Sequence, residues 1–298
     1  MTKRRGAPDN ITPVLVTYNS ARILPWSLPM LESCAAVIVV DNCSRDNTRE
    51  VVESLLPQAR FIAAGRNLGF GRANNLGLTA VTTDYALLHN PDARLDVDAL
   101  WALHDAALRY PEAAIVAPML YDGPNTVGDF FRGPFFQHAM RPAPQLSGDV
   151  CTEFVTGAAM LLNLRLMREV GFFDPWFFLY YEDDDLCLRV RRAGHPIMVA
   201  HAARIEHHIR QSSPASLRTS LRRAYCLTLS KLYITRKYLG PLRYCALALR
   251  IGLGSLLAMP FMLMSLRRER VLKHLARCGA ALMAWRHLRR AHCFEPRE

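Results

Sequence analysis

Four segments of this chain gather polar groups in patterns that packing alone does not require. Asn90-Pro91-Asp92 follows an apolar run. A hard divalent cation takes oxygen ligands, and a diphosphate needs such a cation to offset its charge. Asp92 can supply one such oxygen, although Asn-Pro-Asp is also good turn chemistry. Glu182-Asp183-Asp184-Asp185 follows the apolar, aromatic residues 176–181. Four adjacent carboxylates repel one another there unless a cation or a proton-transfer role offsets the repulsion. The competing reading is a solvated helix start, where acids are welcome. His207-His208 follows the strand-like residues 197–205. Either imidazole could complete a site begun by carboxylate oxygens, and lone histidines are more often structural. Residues 67–77, with Gly69, Gly71 and Gly77, open a helix after a strand. Glycines there allow close backbone approach, and the helix N-terminus favours a phosphate. The spacing does not fit a dinucleotide fingerprint, because the third glycine is misplaced and the segment follows the third strand, not the first.

These segments need a frame that brings them together. Apolar runs at 11–16, 35–40, 61–64 and 85–88 each end in polar or acidic residues. Short two-sided apolar runs predict buried parallel strands. Amphipathic stretches at roughly 20–31, 46–55, 71–81 and 96–110 lie between them, with Asp46 and Asp96 placed to cap helices. The alternation predicts a mostly parallel central sheet with flanking helices. Ligands bind at the carboxyl ends of such strands, where Thr17-Tyr18-Asn19, Asp41-Asn42, Gly65-Arg66-Asn67 and His89-Asn90-Pro91-Asp92 all fall. Beyond residue 120, the Gly-, Pro- and Phe-rich stretch 121–150 predicts a long loop over the site. Residues 151–163 predict one strand, 164–170 a short helix, and 184–193 a helix broken by Gly194.

Charge separates the body from the tail. The first 214 residues carry 20 Lys/Arg against 23 Asp/Glu, and the last 84 carry 17 against 3. The basic character therefore belongs to the tail, which argues against nucleic acid as a partner. Half the residues are hydrophobic, enough for a sizeable core. The eight cysteines form no CxxC pair, which disfavours a zinc ribbon and fits free thiols in a reducing compartment. Residues 1–10 are polar and do not resemble a secretory signal, so the body is read as cytosolic. In the tail, 217–238 is a basic helical pattern. Residues 251–266 are uncharged, interrupted by Pro260 and closed by Arg267-Arg268. That run falls short of the roughly 20 residues of a single span. It predicts a basic amphipathic segment in the headgroup region of an anionic membrane. An ordinary buried helical cap is the alternative. The division expected is a catalytic domain over 1–214 and a membrane-associating helical region over 215–298.

Taken in order, Val16-Thr17-Tyr18-Asn19-Ser20, Val40-Asp41-Asn42-Cys43-Ser44, Asn67-Leu68-Gly69-Phe70, Asn90-Pro91-Asp92 and Tyr181-Glu182-Asp183-Asp184-Asp185-Leu186 resemble the family 2 glycosyltransferases, in particular their rhamnosyltransferase-like branch. The resemblance covers about residues 11–213 and implies a GT-A fold. It implies a metal-dependent, inverting transfer from a nucleotide-sugar donor to a glycan or polyprenyl-linked glycan acceptor. Thr17 and Asp41 would meet the nucleobase and ribose, with Tyr18, Asn19 and Asn42 beside them. Arg66, Asn67, Gly69 and Asn74 would shape the nucleotide pocket. Asp92 stands where the last Asp of the family's DxD motif stands, and Asn90 replaces the first, which leaves fewer carboxylates for a metal. Asp92 and His207 would hold the cofactor, Mg2+ or Mn2+, with His208 able to exchange with His207. Asp183 matches the catalytic base, supported by Glu182 and Asp185. Asp184 has no assigned role. Thr156 and Gly157 are assigned to the acceptor. The stretch after the histidines reads Ile209-Arg210-Gln211-Ser212, where the family has a glycine-rich segment. The sugar expected from the branch is rhamnose from dTDP-rhamnose, and the expected location is the inner face of the cell membrane.

Two other classes remain in view. A nucleotidyltransferase also places a metal and a carboxylate at strand ends, but it carries a glycine-rich basic loop after its first strand. Here that position reads Thr17-Tyr18-Asn19-Ser20-Ala21-Arg22. A non-catalytic membrane-surface protein on a decayed transferase scaffold conflicts with the intact acidic cluster.

Overall fold

The computed structural model describes residues 6–121, 147–207, 216–264 and 268–287. Most of the expected loop at 121–150 falls outside these residues, as do His208 and the segment Ile209-Arg210-Gln211-Ser212. The described chain forms two compact units. One comprises Met1–Phe173 with Asp183–Ser213. The other comprises Asp174–Glu182 with Pro214–Glu298.

The first unit is built on a mixed sheet. Its first four strands are β1 (Ile11–Thr17), β2 (Ile38–Asp41), β3 (Arg60–Ala63) and β4 (Tyr85–His89). They lie side by side in parallel in the order β3-β2-β1-β4. The helices between them are α1 (Leu24–Ser27), which continues as a 3-10 turn at Leu28–Leu31, then α2 (Thr48–Leu55) and α3 (Phe70–Leu78). After β4 come the two-residue β5 (Ala93–Arg94), α4 (Val97–Arg109), β6 (Ile115–Tyr121), β7 (Val150–Thr152), β8 (Ala159–Asn163), α5 (Leu164–Val170), α6 (Glu182–Arg192) and β9 (Ile197–His207). Beyond β4 the order continues β8-β6-β9-β5, with β7 pairing β9. Strand β8 runs antiparallel between β4 and β6.

Alternation along the strands divides the core. Leu15, Val39 and Leu87 face one side, with Leu24, Leu28, Leu100 and Leu103. Val14, Ile38, Val40, Ala86 and Leu88 face the other, with Ala73, Leu166, Met167 and Leu186. Each such Leu or Val, fully buried, contributes about 1.5–3 kcal/mol. Helix α3 sits close to the sheet because Gly77 has no side chain. A Cβ there would meet Val14 Cγ1 at 2.5 Å and Val40 Cγ2 at 3.0 Å. Asp96 caps α4, accepting the Ala99 N–H at 2.7 Å. Asp46 stands two residues before α2 and accepts the Thr48 N–H and hydroxyl.

The structure corrects three expectations. Residues 151–163 are two strands, β7 and β8, separated by a crossing segment that includes Thr156 and Gly157. Strand β6 falls where no strand is predicted. Proline cannot donate a ladder hydrogen bond, and Pro118 is accommodated where the β6–β9 register shifts between Pro118 and Met119. In the tail the chain is helical through Pro260, and the break lies at Gly240 (φ 85°, ψ 175°), a conformation suited to glycine.

The second unit holds α7 (Leu217–Met264) and α8 (Arg268–His287). The first part of α7 carries the aromatic segment Asp174–Glu182. Trp176 stacks on Tyr233 with centroids 3.7 Å apart, and Phe177 meets the same ring edge-on. Asp174 accepts Lys237 Nζ at 2.7 Å and the Tyr233 hydroxyl at 3.0 Å. Burial pushes the Asp174 carboxyl up, and these donors with the Trp176 N–H outweigh it, leaving it below its ordinary value. Past Gly240 the pattern inverts. Small residues are buried (Ser255, Ala280, Ala284), while Leu242, Leu249, Leu253, Leu256 and Leu257 are 57–85% exposed. Residues Leu217–Ala258 are long and apolar enough to cross a membrane, on length and composition alone. The seven cysteines among the described residues are free, and burial pushes the Cys226 thiol up to about 12.

Candidate active site

The register Thr17↔Asp41 brings the carboxyl ends of β1 and β2 level. Thr17 Oγ1 donates to Asp41 Oδ1 at 3.2 Å, and the Ser44 N–H donates to Asp41 Oδ2 at 3.0 Å. Thr17 is buried and Asp41 is partly exposed. Asn19, in a left-handed conformation (φ 51°), joins the two following loops. Its Oδ1 accepts the Arg45 N–H and its own N–H donates to Ser44 Oγ, both at 2.8 Å. Tyr18 donates its N–H to Ser20 Oγ.

Asn42 and Asn67 build the turn before α3. Asn42 is buried, its Nδ2 donating to Asn67 Oδ1 and Gly69 O and its Oδ1 accepting the Leu68 N–H at 2.7 Å. Asn67 Oδ1 also accepts the Gly69 N–H. Gly69, at φ 82°, takes the one conformation that lets this turn enter the helix. Asn74 is buried with its amide donating to Phe70 O, so Asn42 and Asn74 brace the turn and the first turn of α3 from within. Arg66 is exposed at the turn.

The approach of Asp92 to His207 depends on β5. Ala93 pairs with His207 across β5 and β9, which places Asp92 Oδ1 3.4 Å from His207 Nε2. Asp92 is buried, and that oxygen has no hydrogen-bond partner. Asn90 is partly exposed, and its N–H donates to Ala158 O at 2.9 Å. His89 is fully buried beside them, and neither ring nitrogen makes a hydrogen bond of ordinary geometry. Burial holds this imidazole neutral, with its pKa lowered to about 4 against the opposing pull of Asp92.

The acidic run opens α6. Glu182, Asp184 and Asp185 are 5%, 3% and 0% exposed, whereas Asp183 is partly exposed. The Gly157 N–H donates to Asp183 Oδ2 at 3.3 Å, and the Asp184 N–H donates to Oδ1 at 3.0 Å. Gly157 is buried and Thr156 is partly exposed. Asp185 instead takes Arg189 Nε at 2.8 Å. The same guanidinium donates to the carbonyls of Val170, Gly171 and Phe172. Asp185, fully buried, therefore anchors the turn at 170–172. Tyr180 and Tyr181, just before α6, both have positive φ (71° and 65°). Such strain in non-glycine residues collects at functional sites.

One short connection ties the two ends. Ala158 O accepts from Asn90, and the adjoining Gly157 N–H donates to Asp183. Sequence reasoning missed His89, Arg189 and this two-residue bridge. For His89, an ionisable residue inside an apolar run was the available signal. Among the described residues no group of three or more His, Cys, Asp or Glu could hold a metal ion. Asp92 and His207, with an Asp92 oxygen that accepts no hydrogen bond, could supply one oxygen and one nitrogen to a divalent cation, which would need further oxygen ligands from elsewhere.

Parallel strands that end in this polar row, with antiparallel β8 inserted beside the Asn-Pro-Asp turn, make a GT-A glycosyltransferase fold. The model of the family described as "Glycosyl transferase family 2" matches residues 14–171, more than half of the chain, and the chain belongs to that family. It is 27% identical over 250 residues to the N-acetylglucosaminyl-diphospho-decaprenol L-rhamnosyltransferase of Mycobacterium tuberculosis, covering 70% of this chain and 80% of that protein. It is 26% identical over 174 residues to the rhamnosyltransferase WbbL of Escherichia coli, covering 50% of this chain and 65% of that one. Among solved structures, the mannosyltransferase PcManGT of Pyrobaculum calidifontis, in complex with GDP-Man and Mn2+, has a similar fold. Its TM-score is 0.55 at 17% identity, covering 95% of this chain and 91% of that one.

Proposed function

We propose that the protein is an inverting, metal-dependent glycosyltransferase that moves L-rhamnose from dTDP-rhamnose to a polyprenyl-diphosphate-linked glycan. The observation that carries this reading is the Gly157-Ala158 bridge, which ties the Asn90-Pro91-Asp92 turn to the Asp183 carboxylate. A donor side and a proton-accepting side then belong to one cleft.

Thr17, Tyr18, Asn19 and Asp41 receive the nucleoside, on a floor built by Asn42, Asn67, Gly69 and Asn74, with Arg66 and Asn90 at its edge. Asp92 and His207 would hold Mg2+ or Mn2+, and such an ion would supply positive charge to offset that of the diphosphate. Asp183 accepts the proton of the acceptor hydroxyl as that oxygen bonds to the anomeric carbon. The carbon–oxygen bond to the diphosphate breaks, and the nucleoside diphosphate leaves with the electron pair. A single displacement inverts the anomeric centre. Glu182 and Asp185 add negative charge beside Asp183 in the same acidic run, and Thr156 and Gly157 border the acceptor.

The rhamnosyl donor and lipid-linked acceptor are supported by the names of the bacterial relatives. The basic tail and its outward leucines support attachment to an anionic membrane surface at the inner face of the cell membrane. Small residues packed inside a helix pair, with large apolar side chains outside, suit a hydrocarbon surrounding.

The test incubates the full-length protein with a panel of nucleotide sugars, with and without Mn2+. The readout is nucleoside diphosphate release, and the anomeric configuration of any product is read by NMR. Metal-dependent release from dTDP-rhamnose, lost in Asp183→Asn, is expected. Equal release by wild type and Asp183→Asn would remove Asp183 as the base. Preference for another sugar would replace the donor and leave the reaction class standing.

A further inference from the structure

Phe70 is the first residue of α3, directly after the Asn67-Leu68-Gly69 turn. Its ring lies over Gly157. A Cβ built on Gly157 would fall 2.9 Å from Phe70 Cε1, 3.0 Å from Phe70 Cζ and 4.0 Å from Asp183 Cβ. The backbone at 157 therefore rests against the ring, and its N–H is the one that donates to Asp183 Oδ2. The ring is held from behind by Phe173, edge-on with centroids 5.8 Å apart. Phe173 is itself fixed. Its N–H donates to Asn75 Oδ1 at 3.0 Å, and its carbonyl accepts Asn75 Nδ2 at 2.8 Å. Phe173 also presses on Gly71, where a Cβ would lie 2.9 Å from Phe173 Cβ. Phe70 is partly buried between Gly157 and Phe173, so a group added at 157 must either displace the ring or shift the backbone that carries the N–H to Asp183.

We propose that Phe70 is a positioning residue for the proton-accepting carboxylate. It links the turn of the donor pocket, through Gly157, to Asp183. The inference rests on the assignment of Asp183 as the base, and it gives Gly157 a role distinct from touching the acceptor. A carboxylate displaced by a fraction of an ångström loses rate at the chemical step without losing donor affinity.

The experiment compares Gly157→Ala, Phe70→Leu, their combination and Asp183→Asn in the full-length protein. The readouts are kcat, donor KM and Tm. Gly157→Ala is expected to lower kcat at least about tenfold with donor KM within about twofold, because its new methyl meets the ring. Leucine lacks the atoms at Cε1 and Cζ. The combination should therefore return kcat to within about threefold of Phe70→Leu alone. Wild-type kcat in Gly157→Ala, or a Gly157→Ala loss that is as large on the Phe70→Leu background as on the wild-type background, would overturn the proposal. So would a loss expressed only in donor KM. Should Gly157→Ala fail to fold, Phe70→Leu decides alone. A lower kcat at unchanged donor KM supports the proposal, and an unchanged kcat defeats it. Asp183→Asn separates the two readings. If it keeps full activity, the base assignment falls and this proposal with it. If it is inactive while Gly157→Ala is normal, only this proposal fails.

Discussion

His207 Nε2 stands 3.4 Å from Asp92 Oδ1 although β4 and β9 are not neighbours in the sheet. The two residues of β5 make the approach, by pairing Ala93 with His207. Asp92→Asn keeps the shape and removes the charge. It is expected to weaken Mn2+-dependent binding of a nucleoside diphosphate at least about tenfold, with His207→Ala weaker in effect. Calorimetric titration with and without Mn2+ checks this. Binding in Asp92→Asn that matches wild type would exclude the pair as a cation site.

Much of this arrangement is legible in the amino-acid sequence. The apolar runs at β1 to β4 and the polar residues that end them locate the site, and Asp96 marks the start of α4. Other parts are hidden for physical reasons. In residues 151–163, where Thr152, Glu153 and Thr156 interleave with apolar residues, no periodicity marks where β7 ends and the Thr156-Gly157 crossing begins. Two-residue β5 is too short to carry a pattern. The acidic run contains four carboxylates of equal appearance; the family resemblance singles out Asp183, and the structure leaves it partly exposed while the other three are buried. Asp185 reads as chemistry in sequence, yet its partner Arg189 turns it inward.

That contrast can be measured. Asp183→Asn should leave the unfolding midpoint in urea nearly unchanged while removing most transfer activity, about a thousandfold or more. Asp185→Asn should lower stability by about 2–3 kcal/mol, because Arg189 loses a buried anionic partner. Equal destabilisation by both substitutions would contradict the division of roles.

His89 supplies a pH dependence. Its imidazole titrates at about 4 in the folded chain against 6.5 as its ordinary value, so the unfolded chain binds the proton first as pH falls. Stability is fully present above 6.5 and is lost progressively toward 4, by up to about 3 kcal/mol. Urea midpoints across this window should fall steeply in wild type and less steeply in His89→Leu. Parallel curves would show that His89 is not the responsible group.

The leucines past Gly240 predict a surface contact. Replacing Leu249, Leu253 and Leu256 with serine removes three large exposed apolar groups from α7. Flotation with phosphatidylglycerol-containing vesicles should fall at least about tenfold, given about 1 kcal/mol or more for each leucine. Deletion of residues 241–298 should act in the same direction, while hydrolysis of a soluble donor persists in the leucine variant. Unchanged flotation in both would detach the tail from any lipid role. Loss of a dimer in sedimentation, with flotation intact, would identify a second copy as what covers the leucines.

The strand order also sets a timetable. Strand β4 finds one neighbour in β1 and the other in β8, more than seventy positions further along the chain. The turn carrying Asp92 is held on its far side by Ala158, and its histidine partner is residue 207. A nascent chain that has released β1 to β4 from the ribosome thus has a nucleotide-side wall and no working centre. Pairings between distant segments form late and slowly, so catalytic competence should be the last property this chain acquires during synthesis.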